Sequence, residues 1–353
     1  MKILVVGPSW IGDTLLAQPL FTLLRRRHRD LTLDVLAPPW TFPLVARMPE
    51  VRRAIANPFQ HGEFRFLERR RLGRELRTER YDQAIVLPNT LKSAFVPFFG
   101  RIPKRTGYRG EMRWLVLNDL RLLDEDAVPL MAQRYAALGL DHGVPLPADL
   151  PQPHLTIDEQ QRLSTLASLG LDNTRRAVAL CPGAEYGPAK RWPPSYFAEL
   201  ARQLKSEGDD VWLVGSNKDQ PIGEDIVRLS GGACVNLCGR TSLDQAIDVL
   251  ASVRLAVAND SGLMHVAAAV GTPLLAIYGS STPAHTPPMS PLAQVLKIDI
   301  ECSPCFERTC PLGHFNCMMH LKPERVLALA RQEVTGEPVT GTTVTDKAVT
   351  KNP

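Results

Sequence analysis

Asn259-Asp-Ser-Gly-Leu-Met-His265 brings an amide, a carboxylate, a hydroxyl, a glycine and an imidazole together where an apolar strand pattern gives way to an apolar helical one. Residues 253–258 read as a buried strand, and residues 263–270 as a helix ending near Gly271 and Pro273. Asp260 or Ser261 can cap that helix, and Gly262 lets a ligand approach the backbone closely. Free amides and the helix dipole at such a junction suit an anion, such as a nucleotide phosphate. The dipole contributes only roughly 0.3–1 kcal/mol to an exposed charge, so a phosphate site needs further donors or a cation. His265, within the first helical turns, can supply one. A capping residue and a satisfied helix histidine are the structural alternative.

Two other segments carry comparable chemistry. Cys181-Pro-Gly-Ala-Glu-Tyr-Gly-Pro-Ala-Lys190-Arg-Trp-Pro193 follows another strand pattern. Gly183 and Ala184 make little steric demand on a phosphate, Lys190 offers a mobile point charge, and Arg191 offers a fixed donor fork. Trp192 either orients this loop or covers the core. Gly7-Pro-Ser-Trp-Ile-Gly12-Asp13-Thr14 leaves the first strand, with Asp13 either a helix cap or a general base towards an alcohol. It has neither the Gly-Lys-Ser/Thr ending of a nucleoside triphosphate loop nor a three-glycine dinucleotide fingerprint. Cys302, Cys305, Cys310 and Cys317 follow C-x2-C-x4-C-x6-C, with His314 and His320 nearby. The first spacing suits structural zinc and the later ones fit no common zinc module, which leaves a compact loop of reduced thiols as the alternative.

The elements that must position these residues alternate between strand and helix. Residues 2–6, 31–36 and 81–87 read as strands and 15–27 as a helix, although Pro19 is misplaced for its interior. The Pro-rich stretch 144–154 reads as a connection or exposed loop. A second series then begins, with strands at 177–181, 210–214, 253–258 and 274–277 and helices at 196–207 and 243–251. Two such series predict an α/β protein with two Rossmann-like domains and a ligand cleft between them, or one elaborated sheet. Residues 336–353 form a polar, Thr-rich tail.

The 353 residues exceed the usual size of one core, and 44% hydrophobic with 22% charged residues is ordinary for a soluble globular chain. The net charge of +4 is small, but arginines cluster at 25–27, 69–71 and 101–113. They suit an anionic membrane surface or a phosphorylated substrate, or form solvated helix faces. No nucleic-acid module accompanies them, so nucleic acid is not an expected partner. The start reads directly into strand rather than a signal peptide, and no continuous apolar run spans a membrane. A cytoplasmic location is expected, with peripheral membrane contact left open.

Several stretches, in this order, carry a family resemblance: GPSWIGDTLLAQPL from Gly7, PNTLKSA from Pro88, KRTGYRGEMR from Lys104, CPGAEYGPAKRWP from Cys181, NDSGLMHVAAAVGTPLLAIYGSS from Asn259 and ECSPCFERTCPLGHFNCM from Glu301. Across residues 1–335 the chain resembles the ADP-heptose:lipopolysaccharide heptosyltransferase family of Gram-negative bacteria, most similar to its heptosyltransferase II members. The resemblance implies a GT-B glycosyltransferase with an acceptor-binding domain at 1–155 and an ADP-heptose-binding domain at 156–335. It implies inverting transfer of L-glycero-D-manno-heptose from ADP-heptose to the first heptose of the lipopolysaccharide inner core, with no catalytic metal or other cofactor required. The acceptor it implies is a heptosylated Kdo2-lipid A or core. Asp13 matches the base that activates the acceptor hydroxyl, and Lys190 matches the basic group near the donor phosphates. Asp260, Ser261, Gly262 and His265 match the donor-binding segment, with Gly183 and Ala184 in the adjacent phosphate loop. Arg105, Arg109 and Arg113 are candidates for acidic or phosphorylated core sugars. The cysteine segment shares the resemblance without establishing zinc. From the residues alone, a transferase for another nucleotide sugar or acceptor and a nucleotide-binding regulator stay open.

Overall fold

Short runs of aliphatic residues, covered by helices on both faces, build a parallel sheet in each half of the chain. The computed structural model describes residues 1–60, 62–173 and 176–332 and the backbone of 344–347. It divides into two units, Met1–Thr156 and Ile157–Pro353. Two separate sheets exclude the single elaborated sheet.

The first unit contains β1 (Lys2–Val6), β2 (Thr32–Ala37), β3 (Arg53–Ala56), β4 (Gln83–Val86), β5 (Lys104–Tyr108) and β6 (Asp119–Arg121). Their order is β3-β2-β1-β4-β5-β6, and every neighbouring pair is parallel. This is the doubly wound order, in which the winding reverses between β1 and β4. The exit loops of those two strands part there, leaving a crevice at their C-terminal ends. Leu4, Val6, Ala84 and Val86 pack with Leu76, Tyr81, Ala94 and Val96 in a core on one face of the sheet.

Pro19 divides what the pattern predicts as one helix. The chain forms Ile11–Leu16, turns at Ala17 and continues as Gln18–Arg27, so that Pro19 lies in a first turn where no amide donor is needed. Because the first of these helices begins at Ile11, Trp10 holds the N-cap position and Asp13 sits inside the first turn. A capping role for Asp13 is thereby replaced. The end of the 144–154 loop is tied down by Gln18, whose amide donates to the His154 carbonyl at 2.7 Å and accepts its N–H at 2.8 Å.

The second unit contains β7 (Ala177–Cys181), β8 (Asp210–Leu213), β9 (Val235–Asn236), β10 (Leu255–Asn259), β11 (Leu274–Tyr278), β12 (Ala293–Asp299) and β13 (Val344–Lys347). The order is β13-β12-β11-β10-β7-β8-β9, again with all pairs parallel. Apart from the edge strand β13 it repeats the winding of the first unit, with the reversal between β7 and β10. The helix Pro194–Ser206 buries Phe197, Ala198, Leu200, Ala201 and Leu204, a helical stripe that packs with Leu180, Val257 and Ile277. Of the polar tail at 336–353, all but the β13 backbone lies outside the described residues. Among the described residues no helix is long and apolar enough to cross a membrane.

Candidate active site

At the second unit's switch point, Asn259 closes β10 with a fully buried amide. Its Nδ2 donates to the Pro182 carbonyl at 2.8 Å, and its Oδ1 accepts the Trp192 N–H at 3.0 Å. The long loop leaving β7 is thus held at two points by one side chain. Next to it, Asp260 Oδ2 accepts from Lys190 Nζ at 2.6 Å and from Ser281 Oγ at 2.5 Å. Exit segments of β7, β10 and β11 therefore meet on one carboxylate oxygen. An ammonium carries three donors, so Lys190 can hold Asp260 and still turn another N–H towards a phosphate. Ser261 is the extended N-cap of the helix Gly262–Ala269, and its side chain makes no capping bond. The first-turn amides and the positive end of the dipole lie beside Lys190's partner, which is the combination an anion requires.

His265 is in the same helix and is only 6% exposed. Burial pushes its pKa down from 6.5 to about 4, Lys190 adds to the shift, and Asp260 opposes it. The imidazole is neutral near pH 7, so it serves as a hydrogen-bonding group and not as the extra cation that a phosphate site would use. The sign of its pH linkage follows. Between 6.5 and about 4 the unfolded chain takes up a proton that the folded chain resists, so this contribution is complete above 6.5 and is lost as pH falls towards 4. The shift amounts to roughly 3 kcal/mol at the acid limit. In urea titrations at about pH 7 and about pH 4.5, wild type should lose more stability than His265→Gln does. Equal losses would assign the acid sensitivity to other groups.

Gly183 and Ala184 lie in a closely packed part of the loop that leaves β7. A Cβ at Gly183 would lie 2.5 Å from the Asp219 carboxylate, so close packing inside the unit accounts for the glycine. Asp219 is itself held by the Ser216 N–H at 2.9 Å and hydroxyl at 2.7 Å. Ala184 is 2% exposed, and its carbonyl accepts from Arg191 at 3.3 Å.

The cysteine segment braces the same loop. The Arg308 carbonyl accepts the Ala189 N–H at 3.0 Å and would lie 2.4 Å from a Cβ at Gly187. The Phe306 N–H donates to Ser280 at 2.7 Å, and the Ser303 hydroxyl donates to Gly279 at 2.7 Å. Cys302, Cys305, Cys310 and Cys317 line a cavity of about 20 Å³ with His314. Among the described residues, no group of three His, Cys, Asp or Glu side chains is arranged to hold a metal ion. Cys310 accepts the Phe315 N–H at 3.4 Å, and although burial opposes the shift, backbone hydrogen bonds lower its pKa, while burial pushes the Cys317 thiol up to about 11.

In the first unit, Asp13 follows the C-terminal end of β1, beside the switch point. Its charge opposes ionisation of the buried Tyr135, whose own burial is the larger cause of its raised pKa. The exit loops of β4 and β5 are joined by Arg113, which donates to the carbonyls of Pro88 and Tyr108. Arg113 is fully buried, and burial lowers its pKa to about 10. Arg105 donates to Val116 at 2.7 Å and to Ile102 at 2.6 Å. Arg113 is thus engaged with backbone carbonyls and sealed from solvent, which is at odds with its expected role at acidic sugars, while Arg105 is only half-buried. Arg109 is exposed just beyond the end of β5.

Sequence reasoning missed Asn259 as a lock and Ser281 as a second partner of Asp260. The available signals were a polar residue closing an apolar strand and a Gly-Ser-Ser run directly after another buried strand.

Comparison with known proteins agrees with this architecture. Residues 69–316 match the family model of glycosyltransferase family 9 (heptosyltransferase). The chain is 47% identical over 336 residues to lipopolysaccharide heptosyltransferase 2 of Salmonella typhimurium, spanning 93% of this chain and 97% of that one. The corresponding protein of Escherichia coli K12 gives the same identity and coverage. The solved structure of E. coli ADP-heptose lps heptosyltransferase II matches with a TM-score of 0.86 at 44% identity, covering 95% of this chain and 99% of that one. The two doubly wound units are a GT-B arrangement. With most of its length matched, the chain belongs to glycosyltransferase family 9, the heptosyltransferases.

Proposed function

We propose that the protein transfers L-glycero-D-manno-heptose from ADP-heptose to the first heptose of the lipopolysaccharide inner core, with inversion at the anomeric carbon. The observation that carries this reading is the convergence of Lys190, Asp260 and Ser281 beside a helix N-terminus at the second unit's switch point. The names of the relatives supply the sugar and the acceptor class.

In this reading the second unit is the donor domain and the first is the acceptor domain. Asp13 takes the proton of the acceptor hydroxyl as the new glycosidic bond forms. The bond from the anomeric carbon to the ADP phosphate oxygen breaks with its electron pair leaving on ADP. Lys190 and the first-turn amides of the helix Gly262–Ala269 meet the charge that grows on that oxygen, so they favour the transition state over the bound donor. His265 contributes as a neutral donor, and Arg109 binds acidic groups of the acceptor. The acceptor is a heptosylated Kdo2-lipid A or core, met at the cytoplasmic face of the inner membrane.

Mass analysis of products from purified protein, ADP-heptose and cores truncated before or after the first heptose tests donor, acceptor and reaction together. One added heptose on the heptosylated core alone is the expected result. Addition to the core that lacks heptose would move the protein to the preceding transfer. ADP release without sugar transfer would remove the acceptor assignment.

A further inference from the structure

The outer face of the helix Phe66–Glu75 has no part in this chemistry. Leu67, Arg70, Arg71 and Arg74 recur at the spacing of one helix face, and all are exposed. The opposite face holds the helix against Phe95–Phe99. A Cβ at Gly73 would lie 2.6 Å from the Val96 carbonyl oxygen, so the contact is close enough to fix which way the arginines point.

At the N-terminal end of this helix the surface becomes apolar. Phe66 meets Phe95 and Phe99 at ring separations of 5.3 Å, and Phe98 meets Phe99 at 5.3 Å. Leu67 is nevertheless 70% exposed and Phe64 53% exposed. The tip is a built feature. Arg69, only 4% exposed, donates to the carbonyls of Phe64 at 2.7 Å, Glu63 at 3.1 Å and Lys92 at 3.2 Å, and stacks over Phe59.

The charge beside this tip is uncompensated. Glu63 and Glu68 face Arg65, and Glu75 faces Arg71 at 3.7 Å. Among the described residues no acid pairs with Arg70, Arg74 or Arg101, and with Arg77 these crowd into one positive patch. Arg77 has its pKa lowered, first by desolvation and then by Arg101, Arg74 and Arg70.

We propose that the Phe64, Phe66 and Leu67 tip and the exposed Arg70, Arg74 and Arg101 stripe form one docking surface for an anionic lipid bilayer, with Arg77, whose Nε donates to the Phe99 carbonyl at 2.9 Å, adding to the positive field behind them. Guanidinium groups meet headgroup phosphates while the apolar tip enters the acyl boundary, the division of labour of an interfacial amphipathic helix. A nucleic acid would match the charge but leave the exposed apolar tip in water. The connection from β3 through this helix to β4 joins parallel strands, so the helix runs antiparallel to them. Its N-terminal tip therefore lies at the strand end that also carries Asp13. Docking itself does not depend on the transferase reading, whereas its use, presenting a lipid-linked acceptor, rests on that reading.

Co-sedimentation of the full chain with phosphatidylcholine vesicles, with and without phosphatidylglycerol, tests the surface in the absence of donor and acceptor. Wild type should pellet with the anionic vesicles alone and be released by salt. Arg70→Ser with Arg74→Ser should weaken binding roughly 10- to 30-fold. Phe64→Ser with Leu67→Ser should weaken it on the order of 10-fold or more. Both double variants change exposed side chains, and both should retain wild-type kcat/KM on a delipidated, water-soluble acceptor. Equal binding to the two vesicle types, or variants that bind as wild type, would overturn the proposal. So would a raised KM for the soluble acceptor in the arginine variant, because the stripe would then belong to the acceptor site. Vesicle binding and product formation are separate readouts, so failure of either leaves the other interpretable.

Discussion

Asp13→Asn is expected to lower kcat by roughly 10²- to 10⁴-fold while leaving ADP-heptose affinity unchanged. The substitution keeps the shape of the side chain and its ability to accept a hydrogen bond, and removes its ability to take a proton. Asp13 lies in the first turn of Ile11–Leu16, just beyond the C-terminal end of β1. The residue is not the N-cap, so the change should not unravel the helix start. Steady-state turnover with calorimetric donor binding separates the two effects. A variant that turns over like wild type would end the assignment of Asp13 as base. One that loses donor affinity in proportion to kcat would convert it to a binding residue.

Lys190→Met is expected to cost both turnover and stability. Loss of a charge aimed at the leaving phosphate should reduce kcat by roughly 10²- to 10³-fold. The structural cost arises because Asp260 has a side chain only 5% exposed and would be left with the Ser281 hydroxyl in place of an ammonium. Removing one member of a fully buried pair typically costs about 3–5 kcal/mol. Lys190 retains 18% exposure, so solvent screening reduces the expectation to roughly 1–3 kcal/mol. The double variant Lys190→Met with Asp260→Asn should recover most of that stability and none of the activity. Thermal unfolding and single-turnover kinetics on both proteins check this. If activity returns together with stability, Lys190 holds the loop and does not act on the donor.

Much of the architecture was legible because it depends on local patterning. The strand from 177 to 181 is observed with the same bounds, since a short apolar run between turn residues has few other solutions. The junction at Asn259 and Gly262 was visible for the same reason. Pro19 signalled a break, although where the second helix would start depended on the turn at Ala17. The arginines were harder. Nothing in their spacing separates Arg113, buried against two carbonyls, from Arg109, which is exposed four residues before it. Burial depends on which loop packs over the side chain, and that loop comes from the exit of β4. Gly183 was similarly ambiguous. The residue type showed that space was scarce, and only the fold showed that Asp219 occupies it.

What the sequence by itself determined is the alternation of strands and helices in two series, the helix start after Asn259, and a set of residues able to take a proton or bind phosphate. These follow from side-chain periodicity and backbone preference over a few neighbours. The tertiary structure decided which of those residues meet. Asp260 lies 70 positions from Lys190 and 21 from Ser281, and the three join because parallel winding places the exits of β7, β10 and β11 at one end of a sheet. The same enclosure makes His265 neutral, since a charge on it would have to be buried.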